Sequence, residues 1–308
     1  MDNKITLFTS SSISMSLISY LLSKEILACV ALTRRTDADA NNLLYTLRQH
    51  NIPHFVFNDE DDNANIEILK QIKSDTAIVF SFPHKITNSV MEYFDNYIFN
   101  IHASALPTFR GKQPVFWQLK NGENKSALTL SKMVDKLDAG NIVLQKEFSI
   151  DPKDTHGILN GYISQAVVPL VEEFLELSKK HKKDIPASAQ TGDSSKAPSV
   201  EQKDIKIEFK TMHSQEISNL ARACNPIYGG AQTIWKNSIV SILEATPVDM
   251  PNLGLEAGTI LHIGHPDGFI VSTKDAALRI DIVSVPEGIF SGLRFAKRFS
   301  IDAGDKLS

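Results

Sequence analysis

Apolar and polar positions along the first hundred residues follow two alternating periods. ITLF (5–8), ILACVAL (26–32), HFVFN (54–58) and TAIVFSF (76–82) are short, nearly continuous apolar runs. Such runs suit strands covered on both faces of a parallel sheet. Between them, SMSLISYLLS (14–23), NNLLYTLRQH (41–50) and ANIEILKQIK (64–73) repeat apolar residues at helical spacing. This βαβαβ order predicts a doubly wound α/β domain with a mostly parallel sheet, whose ligands collect at the carboxyl ends of strands. YIFNIHAS (97–104) extends the series as a strand and QPVFWQLKNG (113–122) as a helix. Two further strands, ALTLSKMV (127–134) and NIVLQKEFSI (141–150), flank DKLDAG. Asp154 or Thr155 is placed to cap a long helical pattern that ends in lysines. Pro169 falls inside that pattern, where it is expected to kink the helix or begin a second one.

The pattern then changes. KDIPASAQTGDSSKAPSVEQKD (183–204) is small, polar and proline-bearing, a linker composition. HSQEISNLARAC (213–224) reads as a helix, followed by the short strands AQTIWK, SIVSILEATPV, GTILHIG, GFIVSTK and ALRIDIVSV. Turn signals such as PDG (266–268) separate them, which predicts a smaller, mostly-β barrel domain. The expected organisation is therefore an α/β domain over 1–182, a linker over 183–204 and a barrel-like domain over 205–308.

Composition adds exclusions. The 308 residues are 42% hydrophobic and 22% charged, ordinary for a soluble globular chain with an ample core. A net charge of −4 argues against bulk electrostatic binding of nucleic acid and leaves only a local basic patch for it. Cys29 and Cys224 have no zinc-type spacing and are expected as buried, reduced thiols. No apolar run approaches the roughly 20 residues that span a bilayer, and the N-terminus shows no export signal. The expected location is cytoplasmic, without a membrane partner.

Chemistry gathers at FNIHASALPTFRG (99–111). On a strand, Asn100 and His102 point to the same side, and Pro107, Arg110 and Gly111 follow at the strand's end. His102 reads either as a satisfied histidine beneath a loop or as part of a site. Asp138, in DKLDAG, reads either as an ordinary turn aspartate or as a third member of an acid/base set. Together the three could stabilise an oxyanion and fix an imidazole tautomer. Arg110 could bind a phosphate or carboxylate of an acceptor, or simply the loop backbone. In FTSSSISMS (8–16), Ser10 and Ser11 lie at a strand-to-helix turn whose NH groups could meet an anion, although hydroxyls there are also ordinary caps. The lack of GxGxxG argues against a dinucleotide site.

The pattern Asn-x-His-x-Ser-x-Leu-Pro-x-x-Arg-Gly (100–111), followed by Leu-Asp-Ala-Gly (137–140), resembles the folate-dependent formyltransferase family. LARACNPIYGGAQT (220–233) is similar to the segment that opens the family's C-terminal barrel. The resemblance implies formyl transfer from 10-formyltetrahydrofolate to a primary amine, with Asn100, His102 and Asp138 catalytic and no metal. It implies a pterin pocket between Phe80, Ser81, Phe82, Pro83 and His84 on one side and Leu137, Ala139, Gly140 and Asn141 on the other. Ser10, Ser11, Ser104, Arg110 and Gly111 are the candidate substrate contacts.

The acceptor is a separate question. Methionyl-tRNA formyltransferases typically carry a long basic loop, rich in proline and glycine, after the second strand. Here LTRRTDADANNLLY (32–45) is short and carries Asp37 and Asp39 beside Arg34 and Arg35. That favours a nucleotide-linked amino sugar or another small amine, with tRNA as the alternative acceptor. Hydrolysis of the formyl donor is an alternative of another class.

Overall fold

The computed structural model describes residues 4–34, 37–182, 184–252 and 254–308, and the chain forms two compact units. The first gathers the residues up to Pro114 with Lys125–Ser149 and Asn160–Pro198. In chain order the elements begin β1 (Ile5–Phe8), α1 (Met15–Ser23), β2 (Leu27–Leu32), α2 (Ala38–Gln49) and β3 (His54–Val56). They continue as α3 (Asp62–Ile72), β4 (Thr76–Phe80), α4 (Asn88–Tyr93), β5 (Ile98–His102), α5 (Pro114–Lys120), β6 (Lys125–Lys132), β7 (Ile142–Ser149) and α6 (His156–His181).

Seven strands form one sheet in the order β3-β2-β1-β4-β5-β6-β7. The pairs from β3 to β5 are parallel, whereas β6 and β7 are added antiparallel. This is the mostly parallel, doubly wound sheet that the alternation of periods predicts. Side chains of Asp37, Asp61 and Thr87 accept hydrogen bonds from the backbone at the starts of α2, α3 and α4. Helix α4 has only six residues, too few to declare a helical period in the sequence. Within the core, Phe8 meets Phe57, Phe82 and Phe94 edge-on. Phe99 of β5 is fully buried and packs 4.6 Å from Phe174 of α6.

Helix α6 runs on through Pro169 as one element. A proline there forfeits one helical hydrogen bond. Val167, Leu170, Val171 and Phe174 around it are all fully buried, so packing outweighs the local preference to break.

The second unit comprises Val115–Asn124, Ile150–Leu159 and Ser199–Ser308. Its later elements are α7 (Ser214–Cys224), β8 (Ala231–Trp235), β9 (Ser238–Val248), β10 (Ile260–Gly264), β11 (Gly268–Ser272), β12 (Ala277–Val285), β13 (Gly288–Ser291) and α8 (Gly292–Arg298). The strands pair antiparallel in the order β10-β11-β12-β9-β8, with β13 on β12. Residues near 304–308 serve both ends of that path. Ile260 donates to Asp305 (2.8 Å) and Leu307 to Gly258 (2.9 Å), while Ile234 and Ser308 exchange two bonds (2.7 and 3.1 Å). The barrel expected from the sequence thus takes the form of a sheet whose edge strands, β10 and β8, share one terminal segment. β13 and α8 were not foreseen, being four and seven residues long.

Residues 184–198, linker-like in composition, belong to the first unit, and the chain from Ser199 onward belongs to the second. Among the described residues no helix is long and apolar enough to cross a membrane. Both cysteines are buried and free, and burial pushes each thiol up to about 12.

His156 is buried in the second unit, with Nδ1 donating to the Ala223 carbonyl at 3.0 Å. Burial lowers its pKa from 6.5 to about 4. Below pH 6.5 the unfolded chain gains a proton that the folded one refuses. Stability should therefore be intact above pH 6.5 and fall by up to about 3 kcal/mol as the pH drops towards 4. Urea midpoints measured across that window should show the slope, and His156→Gln should flatten it.

Candidate active site

Strand β5 ends on His102, and the pleat turns Asn100 and His102 to the same face. Asp138 reaches them from the loop between β6 and β7. Its Oδ1 accepts from Asn100 Nδ2 at 3.0 Å and its Oδ2 from the Gly111 NH at 2.8 Å. His102 Nδ1 lies 3.7 Å from Oδ2, with the two side chains only 7% and 4% exposed. The other imidazole nitrogen, Nε2, lies 2.8 Å from the Phe109 carbonyl. A carbonyl can only accept, so Nε2 carries a hydrogen and Nδ1 is the nitrogen turned to the carboxylate. The three residues singled out in the sequence are brought together.

The loop that delivers Asp138 is tightly held. Asp138 has φ +50°, a left-handed backbone that costs a non-glycine residue about 1–3 kcal/mol. Ala139 donates to Lys136 O (3.2 Å), and Lys132 donates to Asn141 O (2.9 Å). A Cβ on Gly140 would stand 1.6 Å from the Lys132 carbonyl oxygen, so only glycine fits. Gly111, at φ +132°, is equally confined, because a Cβ there would meet Ala197 O at 2.4 Å.

The remaining candidates fare differently. Ser104 is fully buried, and its hydroxyl donates to the Thr108 carbonyl (2.6 Å) while Thr129 donates to the Ser104 carbonyl (2.6 Å). Ser10 is buried against Thr33, with 2.8 Å between hydroxyls, and Ser11 accepts from Ile13 N. The backbone NH and hydroxyl of Ser12 both turn to Asp39 of α2. A carboxylate of the protein itself therefore takes the position read as an anion site. Each of the candidate hydroxyls of Ser10, Ser11 and Ser104 has a partner within the protein. The Arg110 guanidinium is turned to another side chain. Its Nε and Nη2 both donate to Gln190 Oε1, at 3.2 and 2.6 Å.

The two segments implied for the pterin lie side by side, joined by the Lys85–Asp135 ion pair at 2.5 Å. Phe80 closes β4, and Ser81 (φ +55°) accepts from Ser10 N through its carbonyl at 3.2 Å. Phe82 packs edge-on against Phe8 and Phe57, at 5.5 and 5.6 Å between centroids, and is committed to the core cluster. His84 pairs with Asp59 at 3.0 Å. Pro83 and Asn141 are exposed, Ala139 is half-buried, and Leu137 is 63% exposed. Among the described residues no cluster of His, Cys, Asp and Glu could hold a metal.

Gln190 was not foreseen. Its Nε2 donates to Asp138 O (2.8 Å) and Gly140 O (2.7 Å). Nothing in the composition of 183–204 distinguishes it from its polar neighbours.

An amide and an imidazole at the end of a central strand thus meet a carboxylate from a neighbouring loop. Residues 6–173 match the family described as formyl transferase, and residues 199–298 match the formyl transferase C-terminal domain. The chain belongs to the formyl transferase family, transferases that carry a formyl group from formyl-tetrahydrofolate to amine acceptors. It is 27% identical over 264 residues to methionyl-tRNA formyltransferase of Thermotoga maritima, covering 82% of each chain. Two solved structures share the fold. WlaRD, a sugar 3N-formyl transferase solved in the presence of dTDP and 5-N-formyl-THF, superposes with a TM-score of 0.67 at 24% identity, covering 90% of this chain and 97% of that one. The N-formyltransferase of Helicobacter canadensis, solved with folinic acid and dTDP-3-aminofucose, superposes with a TM-score of 0.65 at 22% identity, covering 89% and 97%.

Gly140→Ala should push the Asp138 loop from its seat. Displacement of a catalytic group by about 1 Å can cost 10²-fold in rate. Formyl-transfer turnover should fall on that scale, and a rate within twofold of the parent would show that the loop absorbs the methyl group.

Proposed function

We propose that this protein transfers the formyl group of 10-formyltetrahydrofolate to a nucleotide-linked amino sugar, using Asn100, His102 and Asp138. The observation that carries the chemistry is the double-accepting Asp138 carboxylate between Asn100 and Gly111, with His102 Nδ1 turned towards it. Asn100 spends one amide hydrogen on Asp138 and keeps a second for the formyl oxygen as negative charge grows there. His102, anchored through Nε2, presents Nδ1 as the other donor once protonated. Asp138 balances that positive charge and accepts the proton shed by the attacking amine. The new N–C bond forms as the bond to the folate nitrogen breaks, and the proton passes on to that leaving nitrogen.

Two features support a small acceptor. Only residues 33–37 lie between β2 and α2, too few for a long basic arm. Residues 199–308 carry eleven Lys and Arg against thirteen Asp and Glu, a poor footprint for a polyanion. The second reading, methionyl-tRNA as acceptor, is favoured by the methionyl-tRNA formyltransferase relatives.

Purified protein with 10-formyltetrahydrofolate should formylate dTDP-3-aminofucose or a related amino-sugar nucleotide. Efficient formylation of methionyl-tRNA, with the amino sugars untouched, would overturn the acceptor. Formate release without any amine, at the same rate as with one, would make the protein a donor hydrolase instead. Asn100→Ala should lower kcat by about 10²–10³, the usual loss for one oxyanion donor.

A further inference from the structure

We propose that Gln190 is a positioning residue for the catalytic carboxylate, and that residues 184–198 form a strap that sets the reaction centre. The inference rests on the reading of Asn100, His102 and Asp138 as the reacting groups.

The strap crosses both loops that build the site. Ser188 and Ile142 exchange two backbone bonds of 2.8 Å, which fixes the strap beside the start of β7. Further along, Phe109 N donates to Ser195 Oγ (2.8 Å) and Arg110 N to Ser195 O (2.9 Å). Ala197 N donates to Arg110 O (2.7 Å) and accepts at its own carbonyl from Gln113 N (3.1 Å). These bonds hold the turn whose Phe109 carbonyl anchors His102 and whose Gly111 NH anchors Asp138.

Gln190 sits between the two loops and ties them together. Its amide orientation follows from its partners. Two guanidinium donors of Arg110 meet Oε1, so Nε2 points the other way, at the carbonyls of Asp138 and Gly140. Both hydrogens of Nε2 are thereby used on the residue with the left-handed backbone and on the glycine that packs against Lys132. Glutamate at this position would keep Arg110 but offer no donor to either carbonyl. Asparagine would be one methylene short of spanning them. The chemistry therefore asks for glutamine, in a segment whose composition asks for nothing.

The test compares Gln190→Glu, nearly identical in shape, and Gln190→Ala with the parent, alone and combined with Asp138→Asn. Turnover is read from 10-formyltetrahydrofolate with dTDP-3-aminofucose or methionyl-tRNA, whichever supports it, or from formate release if neither does. Either Gln190 variant should lower kcat by about 10- to 100-fold, with the KM for the donor and the thermal midpoint close to the parent's. In the ligand-free protein the Gly111 amide should exchange faster, because the Asp138 carboxylate it binds is no longer held. On the Asp138→Asn background the same changes should cost no further activity, since the residue acts through that carboxylate. Parental kcat in both Gln190 variants, or a loss that simply adds to that of Asp138→Asn, overturns the proposal. Full activity of Asp138→Asn alone would instead sink the underlying reading of the catalytic groups.

Discussion

One buried carboxylate organises this site. Asp138 accepts hydrogen bonds from an amide side chain and a backbone NH, and an imidazole nitrogen faces it across 3.7 Å. A carboxylate removed from water needs such partners, because an unpaired buried charge is prohibitively unstable. The carboxylate and its partners come from three stretches of chain: Asn100 and His102 from β5, Gly111 from the following turn, and Asp138 from the loop before β7. The demand for pairing thus ties three separate segments together.

Meeting that demand constrains the neighbouring backbone. Asp138 faces β5 from a left-handed conformation, and the chain closes beside it only because Gly140 has no Cβ. Gly111 brings its NH to the carboxylate while the Ala197 carbonyl presses on its other side. The left-handed conformation is unfavourable by itself, and such strain persists only where the surroundings over-determine it. The bonds from Gln190 to the Asp138 and Gly140 carbonyls supply part of that over-determination.

What could be read in the sequence follows from the range of each interaction. Of the parallel strands, β1 and β4 were visible because both-face burial writes itself as continuous apolar runs. Asn100 and His102 were visible because a period of two and the end of a buried strand are local facts. Asp138 alone looked like any turn aspartate, and only the LDAG pattern lifted it from that background. Asp39, which takes the backbone NH next to Ser11, was not legible from that segment because it comes from another helix. Pro169 begins no second helix, and the burial of Val167, Leu170 and Val171 around it is a tertiary effect with no signature at the proline. Gln190 was the least legible of all. Its role lies in four hydrogen bonds made across the fold, and a polar segment without periodicity does not advertise its partners.

The same reasoning explains why donor chemistry was easier to read than acceptor identity. In the proposed reaction, stabilising charge on a formyl oxygen requires particular donors at a particular distance, which would restrict the side chains at positions 100, 102 and 138. Recognising an acceptor constrains only surface shape and charge beyond the reacting atoms, where many residues serve equally. The five-residue connection after β2 and the acidic balance of residues 199–308 are properties of that outer surface. Formation of the Asp138 hydrogen bonds does not depend on either. A fold organised around one carboxylate can therefore keep its chemistry while its acceptor changes, because the two are specified by different parts of the chain.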